Sequence, residues 1–410
     1  LTQPAPVRPP LLGALFFLQA HAIALWFVPF SSILKEHGLG HITPWAFATS
    51  AVAAFVSPML AGTLADRHFS PNVVLRWLCA GMAALLFLTF LAIERGWNQY
   101  LILVLIQMFQ FCFAPSWGVA STLVLAQLSD PGRQFGPLRA WGTFGWMAAG
   151  PFVSLVLHAD GSTLPGFASA ACWAGVAVFT FFLPNVPPKK TLDRVSGGAL
   201  FGLETFRLLR DPQHRALFLT AALLSIPLAA FYPYTPMHLQ DLGIERVSAA
   251  MSLAQVFEAV AMFAMAPILT AFRLRPIFVS AIFAAVLRYV LFGLDSRWAL
   301  ISGILMHGIC FTLFFIPAQI YIEKRVARDL RFRAQALLTL LIGGFGNLIG
   351  YLGCGALHSL CSSGGRTDWP LYWGVLAASL LCVWVYFLAA YRPGVSAAGE
   401  LVATKSAAEC

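Results

Sequence analysis

The feature that most constrains this chain is a series of twelve apolar runs, each of roughly 20 residues or more, separated by short stretches rich in charge, Gly and Pro. Their approximate limits are 11–34, 44–65, 73–93, 100–127, 137–157, 165–184, 216–238, 247–270, 276–294, 298–322, 333–358 and 370–391. Lipid offers the backbone no hydrogen-bond partner, so a run of this length has to satisfy its own N–H and C=O groups as a helix. Barrel strands are excluded, because the runs are too long and do not alternate. Composition agrees. Apolar residues make up 59% of the chain, charged residues 10%, and the mean hydropathy is +0.77. A soluble domain holds about 45–50% apolar and about 25% charged residues. A soluble enzyme, a disordered chain, a disulfide scaffold and a nucleic-acid binder are therefore all excluded. The expectation is an all-α polytopic membrane protein with twelve transmembrane helices.

The loops set an orientation. With the N-terminus placed inside, nineteen Lys and Arg residues fall in cytoplasmic segments and five in outer ones, while Arg139 and Arg288 lie within spans. That asymmetry predicts cytoplasmic termini and accounts for the net charge of +9 without an acidic partner. The first run is too long for a signal-peptide core and is read as a span. The longest polar stretch, residues 185–215, carries Pro187, Pro188, Lys189 and Lys190 and separates six spans from six. The expected organisation is a six-helix half at 1–184, a cytoplasmic linker at 185–215, a second six-helix half at 216–391 and a disordered cytoplasmic tail at 392–410. Two six-helix halves around a central loop are the layout of a secondary transporter with internal pseudo-symmetry. The eight cysteines include no C-x-x-C pair and read as small buried hydrophobes.

Polar residues inside spans are costly in lipid and mark candidate sites. Glu258 lies 11 residues into the eighth run, or roughly 16 Å deep at 1.5 Å per residue, close to the bilayer midplane. It is the sole carboxylate so placed, which makes it a candidate proton-coupling group; a protonated carboxyl bonded to a neighbouring helix is the structural alternative. Gln255 shares its face at i−3. Arg139 stands early in the fifth span, either as a cavity cation or as a side chain snorkelling to the surface. Thr143 and Trp146 follow on the same face, and Trp146 reads equally as an aromatic wall or as helix packing. Phe111, Phe113 and Trp117 read as packing, and Arg288 as structural, pairing with Asp295. His21, His307, Gln19, Gln107, Gln110, Gln319 and Asn347 are further polar groups within spans. No metal-binding, nucleotide-binding or hydrolase motif is present, so no cofactor or metal is expected, the chain is not read as an enzyme, and transport would draw on a gradient or be facilitative.

Two segments carry a family resemblance. Gly62-Thr-Leu-Ala-Asp66-Arg67, between the second and third spans, resembles the loop motif of the major facilitator superfamily. Pro137-Leu-Arg139-Ala-Trp141-Gly142-Thr143-Phe-Gly145-Trp146, opening the fifth span, resembles the bacterial nucleoside:proton symporter family. Leu183-Pro184, Gln255-Val-Phe-Glu258, Ile322-Glu323-Lys324, Phe345-Gly346-Asn347 and Thr367-Asp368-Trp369 agree in order and spacing. In the tenth span His307 and Thr312 stand where the family carries a tyrosine and an acidic residue, and Ser225-Ile-Pro227 replaces amides in the seventh. The resemblance implies the major facilitator fold in a bacterial inner membrane. It also implies proton-coupled uptake of a nucleoside, with a sugar or organic acid as the alternative solute. The expected substrate contacts are Arg139, Thr143, Trp146, Gln255, Glu258 and Phe311, with Glu258 and His307 as proton-coupling groups. The expected partners are a small solute, protons and the lipid bilayer, with no nucleic acid, for a monomeric protein.

Overall fold

The structure, a computed structural model of the chain, describes residues 9–65, 69–186, 207–328 and 330–392. The Asp66–Arg67 loop and with it the surroundings of Gly62, most of the central linker and the tail after Arg392 fall outside those residues. Among the described residues, eleven helical segments are long and apolar enough to cross a membrane. They are Pro9–Glu36, Pro71–Glu94, Gln99–Leu125, Arg133–Leu157, Leu164–Phe182, Pro212–Asp241, Val247–Ala271, Leu274–Gly293, Arg297–Arg325, Arg333–Leu360 and Trp369–Ala390. Thr43–Ala65 occupies the place of the second span. Below, the twelve are called the first to the twelfth span in chain order. Each expected limit lies within four residues of the observed one.

The starts of the spans follow local chemistry. Asn98, Asp130, Asp211 and Asp368 each accept a hydrogen bond from a backbone N–H of the first turn that follows, and three of these caps are joined by Pro in that turn. A capping acceptor satisfies donors that no helical carbonyl reaches, and Pro has no donor to strand there. Among the described residues the one sheet is a hairpin between the eleventh and twelfth spans, pairing Ser362–Ser363 with Arg366–Thr367. Gly364 and Gly365 turn it at φ +58° and +78°, where a side chain would be strained.

Two helices are broken at matching places in the two halves. The first span runs as Pro9–Phe27 and then Phe30–Glu36, and the seventh as Pro212–Leu228 and then Phe231–Asp241. Corresponding discontinuous helices are the usual sign of a transporter's binding region. Here the breaks face each other. Phe27 and Tyr232 pack with ring centroids 5.2 Å apart, and the Ser31 hydroxyl donates to the Tyr232 carbonyl at 3.4 Å.

Each half has its own buried aromatic cluster. In the first, Trp26 stands edge-on to Phe30, Phe109 and Phe90 at 4.8, 5.3 and 6.2 Å. In the second, Trp373 packs on Phe292 and Tyr289 at 4.8 and 5.0 Å. Lipid is as apolar as these side chains, so close packing rather than water exclusion holds the spans together. Where backbones touch, only glycine fits. A Cβ on Gly150 would stand 2.0 Å from the Ser252 hydroxyl and 2.1 Å from the Ser248 carbonyl oxygen, which seals the fifth span against the eighth. Large apolar side chains on the outside, such as Phe263 at 78% exposure, face where lipid would be.

Seven of the eight cysteines are described, and all seven are free thiols; Cys382 is exposed, against the expectation of burial. It lies on the outward face of the twelfth span, where an apolar thiol suits lipid as well as core.

The polar ties between the halves gather at the end away from the basic loops. Lys35 pairs with Asp241 at 2.5 Å, and Gln240 donates to Glu36 at 3.5 Å. Asp160 accepts from the Ser248 N–H at 2.6 Å and from the Ser154 hydroxyl at 3.0 Å, while that hydroxyl accepts from the Ala249 N–H at 2.9 Å. The start of the eighth span is thus capped by residues of the other half. This end is closed.

Candidate functional site

Between the halves lies a cavity of about 850 Å³, within the size range of small-molecule sites. It extends from the midplane to the basic-loop end, where Phe135, Gly136, Met262 and Phe315 line it. Arg139, Thr143, Trp146, Gln255, Glu258, His307 and Phe311 all lie on its wall. The structure therefore brings together every substrate-contact and proton-coupling residue expected from the sequence, from the fifth, eighth and tenth spans.

The fifth span brings Arg139, Thr143 and Trp146 inward by their spacing of four and three residues, one helix face. The Arg139 guanidinium lies over the Trp117 ring at 4.3 Å and near the Phe16 ring at 5.5 Å. It takes no carboxylate partner among the described residues. Of the two readings of Arg139, the cavity cation is the observed placement, and cation–π contact keeps it there without neutralising it. Trp117 corrects its reading as packing: it forms cavity wall, because it is the shelf on which Arg139 rests. Trp146 lies on the cavity wall and also packs edge-on to Phe27 and Tyr232, at 6.0 Å from each.

Glu258 is half-buried on the eighth span and makes no hydrogen bond or ion pair among the described residues. The alternative of a carboxyl bonded to a neighbouring helix is not what is observed. The tenth span passes directly behind it. A Cβ on Gly308 would fall 2.1 Å from the Glu258 nitrogen, so glycine alone allows the two backbones to meet at this level. Gln255, one turn earlier, donates to the Tyr232 hydroxyl at 3.4 Å. Glu258 and Arg139 share the cavity without touching, so neither charge is spent on the other.

The tenth span supplies His307 and Phe311, four residues apart on one face. His307 is stacked on Phe231 at 3.9 Å and 8°, with the Phe311 ring at 6.0 Å and 20°. Its Nδ1 receives the Arg288 Nη1 at 2.5 Å. Arg288 is the clearest correction to the sequence reading. It does not pair with Asp295. Asp295 instead accepts from His238 Nε2 at 2.8 Å, and Arg288 turns inward to His307 and the Cys310 sulfur. Arg288 and Asp295 are seven residues apart, so two helical turns, about 10 Å, separate them.

Of the other polar span residues, Asn347 lines the cavity. His21 bonds the Gly145 carbonyl at 3.1 Å, Gln107 donates to the Thr49 carbonyl at 3.3 Å, and Gln19 and Gln110 are buried within the first half. Tyr232 and Tyr351 were missed as lining residues, while Ser225 lies on the wall at the place where the resemblance sets amides. Tyr232 had a legible sign, a hydroxyl-bearing aromatic five residues after Pro227 in a span; Tyr351 had none, because its ring partner Phe47 is distant in sequence.

Comparison with known proteins agrees with this geometry. Residues 11–395 match the family described as nucleoside H+ symporters. The putative nucleoside transporter YegT of Escherichia coli (strain K12) is 30% identical over 401 residues, 93% of each chain. The nucleoside permease NupG of the same organism is 25% identical over 365 residues, 84% of this chain and 86% of that one. The crystal structure of the nucleoside transporter NupG superposes with a TM-score of 0.85 at 23% identity, covering 94% of this chain and 99% of that chain. With the family match over nearly the whole chain and a relative at 30% identity, this membrane transporter of major facilitator architecture belongs to the nucleoside H+ symporter family.

Proposed function

We propose that the protein carries a nucleoside together with a proton by alternating access, with Glu258 as the proton site. Arg139, Thr143, Trp146, Gln255 and Phe311 are the substrate contacts. The observation that carries this reading is an unpaired carboxyl on the wall of a mid-membrane cavity in a chain of this family. A nucleoside has a flat apolar base and a hydroxyl-bearing sugar. The cavity offers rings from Trp117, Trp146, Tyr232 and Phe311 for the first, and Arg139, Thr143 and Gln255 for the second. YegT and NupG, by their names, handle nucleosides, which favours the same solute here.

The coupling follows from charge. An ionised carboxylate is expensive to enclose between two apolar halves; a protonated one is neutral. The halves therefore close over the site when Glu258 holds its proton and the solute is seated. Loss of the proton on the basic-loop side lets the solute leave, and the empty site closes for its return with the Glu258 carboxylate offset by the Arg139 guanidinium on the same wall. The basic asymmetry supports placing that side, both termini and residues 185–215 in the cytoplasm of an inner membrane. The cavity then faces the cytoplasm in the observed state. One chain contains both halves and every lining residue, so a monomer suffices for transport.

The test is uptake by proteoliposomes under an imposed pH gradient, acid outside. Labelled uridine or adenosine should accumulate above its equilibrium level and collapse when a protonophore is added. Accumulation of a sugar or a carboxylate with no nucleoside uptake would replace the solute, and nucleoside equilibration without accumulation would remove the coupling.

A further inference from the structure

Arg288 is fully buried and has no carboxylate partner among the described residues. Its Nε and Nη2 have no hydrogen-bond partner among the described residues, and its guanidinium lies over the rings of Tyr289 at 4.5 Å and Phe231 at 5.1 Å. An uncompensated buried charge opposes folding, so its presence asks for another use. The hydrogen bonds it makes run from Nη1 to His307 Nδ1 at 2.5 Å and to the Cys310 sulfur at 3.6 Å.

A guanidinium has donors and no acceptor, and it keeps its proton throughout the working pH range. The nitrogen that receives it must present a lone pair. His307 Nδ1 is therefore bare, and the single ring proton sits on Nε2. A second proton on Nδ1 would set two N–H groups against each other at bonding distance. The ring cannot turn to escape, because Phe231 stacks on it at 3.9 Å and 8°. The other ionisable groups facing it are Tyr289 beside Arg288, Tyr232 at 6.1 Å, Cys310 on its own span and Glu258 on the shared cavity wall. None of them competes for Nδ1.

We infer that Arg288 is a positioning residue that locks His307 as the neutral Nε2–H tautomer. His307 then serves as a fixed hydrogen-bond donor to an acceptor atom of the solute, a base carbonyl or ring nitrogen, and takes no part in the proton cycle. This revises the expectation that His307 shares proton coupling with Glu258. The tautomer lock stands on geometry alone, and the donor role rests on the nucleoside reading above.

Histidine ring ¹⁵N spectra of the labelled protein test the lock without any ligand, with His307 assigned by the loss of its signals in His307→Gln. The expected result is one bare and one protonated nitrogen, unchanged from about pH 5.5 to about pH 8, the interval in which a free imidazole titrates. Arg288→Met should convert the site to one that titrates across this interval; should that variant fail to fold, the wild-type spectrum still decides. An imidazolium signal growing in wild type as the pH falls would overturn the lock. For the donor role, His307→Phe keeps the stacked ring and removes the N–H, and should weaken uridine binding by roughly 5- to 10-fold, the usual worth of one hydrogen bond. His307→Gln keeps an N–H near Nε2 and should recover part of that loss. Unchanged uridine affinity in His307→Phe would overturn the donor role. If wild type binds no nucleoside at all, the nucleoside reading fails while the spectra still judge the lock.

Discussion

The two ends of the molecule treat charge in opposite ways. At the closed end Lys35 meets Asp241, and Asp160 caps the eighth span across the boundary between the halves. In the cavity Arg139 and Glu258 stand without ionic partners among the described residues. Paired groups hold one arrangement of the halves, because their attraction is lost when the halves part. Unpaired groups hold nothing, and so remain open to a ligand or a proton. A transporter needs both kinds, and here they are separated along the membrane normal. On the proposed reading, the closed end fixes the state and the cavity carries the cargo.

The sharpest way to break this contrast is at Glu258. Glu258→Gln imitates the protonated carboxyl and cannot release a proton, so accumulation driven by a pH gradient should fall to the level of empty vesicles. Exchange of labelled for unlabelled nucleoside across the membrane should persist, since it needs no net proton movement. Full accumulation in the variant would make Glu258 structural.

Arg139→Ala comes next. It removes a charged donor from the cavity and leaves no buried counter-charge, so nucleoside affinity should drop by about 10-fold, the effect of one hydrogen bond from a charged group. Binding to purified protein measures it. Unaltered affinity would mean that Arg139 serves only to pack on Trp117.

At the closed end the effects should appear in conformation rather than affinity. Asp160→Ala strips the acceptor from the Ser248 N–H and the Ser154 hydroxyl. A loss of about 1 kcal/mol shifts a two-state balance by roughly fivefold. Ser31→Cys reports it, since Ser31 is wholly buried beside Tyr232 in the observed state. Labelling by an impermeant maleimide should speed up by that factor, and an unchanged rate would show that the cap across the halves is not a latch. Lys35→Ala should do least. Both partners of that pair are more than a third exposed, and such pairs contribute about 0.2–1 kcal/mol, so a change of roughly 1.4-fold to at most fivefold is expected in the same assay.

The twelve spans were legible because lipid imposes a simple rule, roughly 20 apolar residues for each crossing, and charged or turn-forming residues punctuate them. Glu258 and Arg139 were legible for the related reason that a charge deep in a span is too costly to keep without a wet cavity or a partner. Trp117 was not, because an aromatic residue in an apolar helix carries no mark of whether it faces a neighbour, lipid or a cavity. Arg288 could be seen as anomalous, but its partner could not be named. The sequence offered the nearby acid, Asp295, while the structure offered a histidine nineteen residues away on the next span.

The sequence by itself determined that the chain crosses the membrane twelve times and that a carboxyl and a guanidinium lie within those crossings. These are one-dimensional properties, fixed by length, hydropathy and charge position. Only the tertiary structure decided which faces meet: that the broken first and seventh spans close one end, that Arg139 rests on Trp117, and that Arg288 holds His307. Helix rotation and pairing depend on close packing between residues far apart in the chain, such as Gly308 against the Glu258 backbone. In an apolar solvent no stripe of hydrophobic residues marks the buried face in advance.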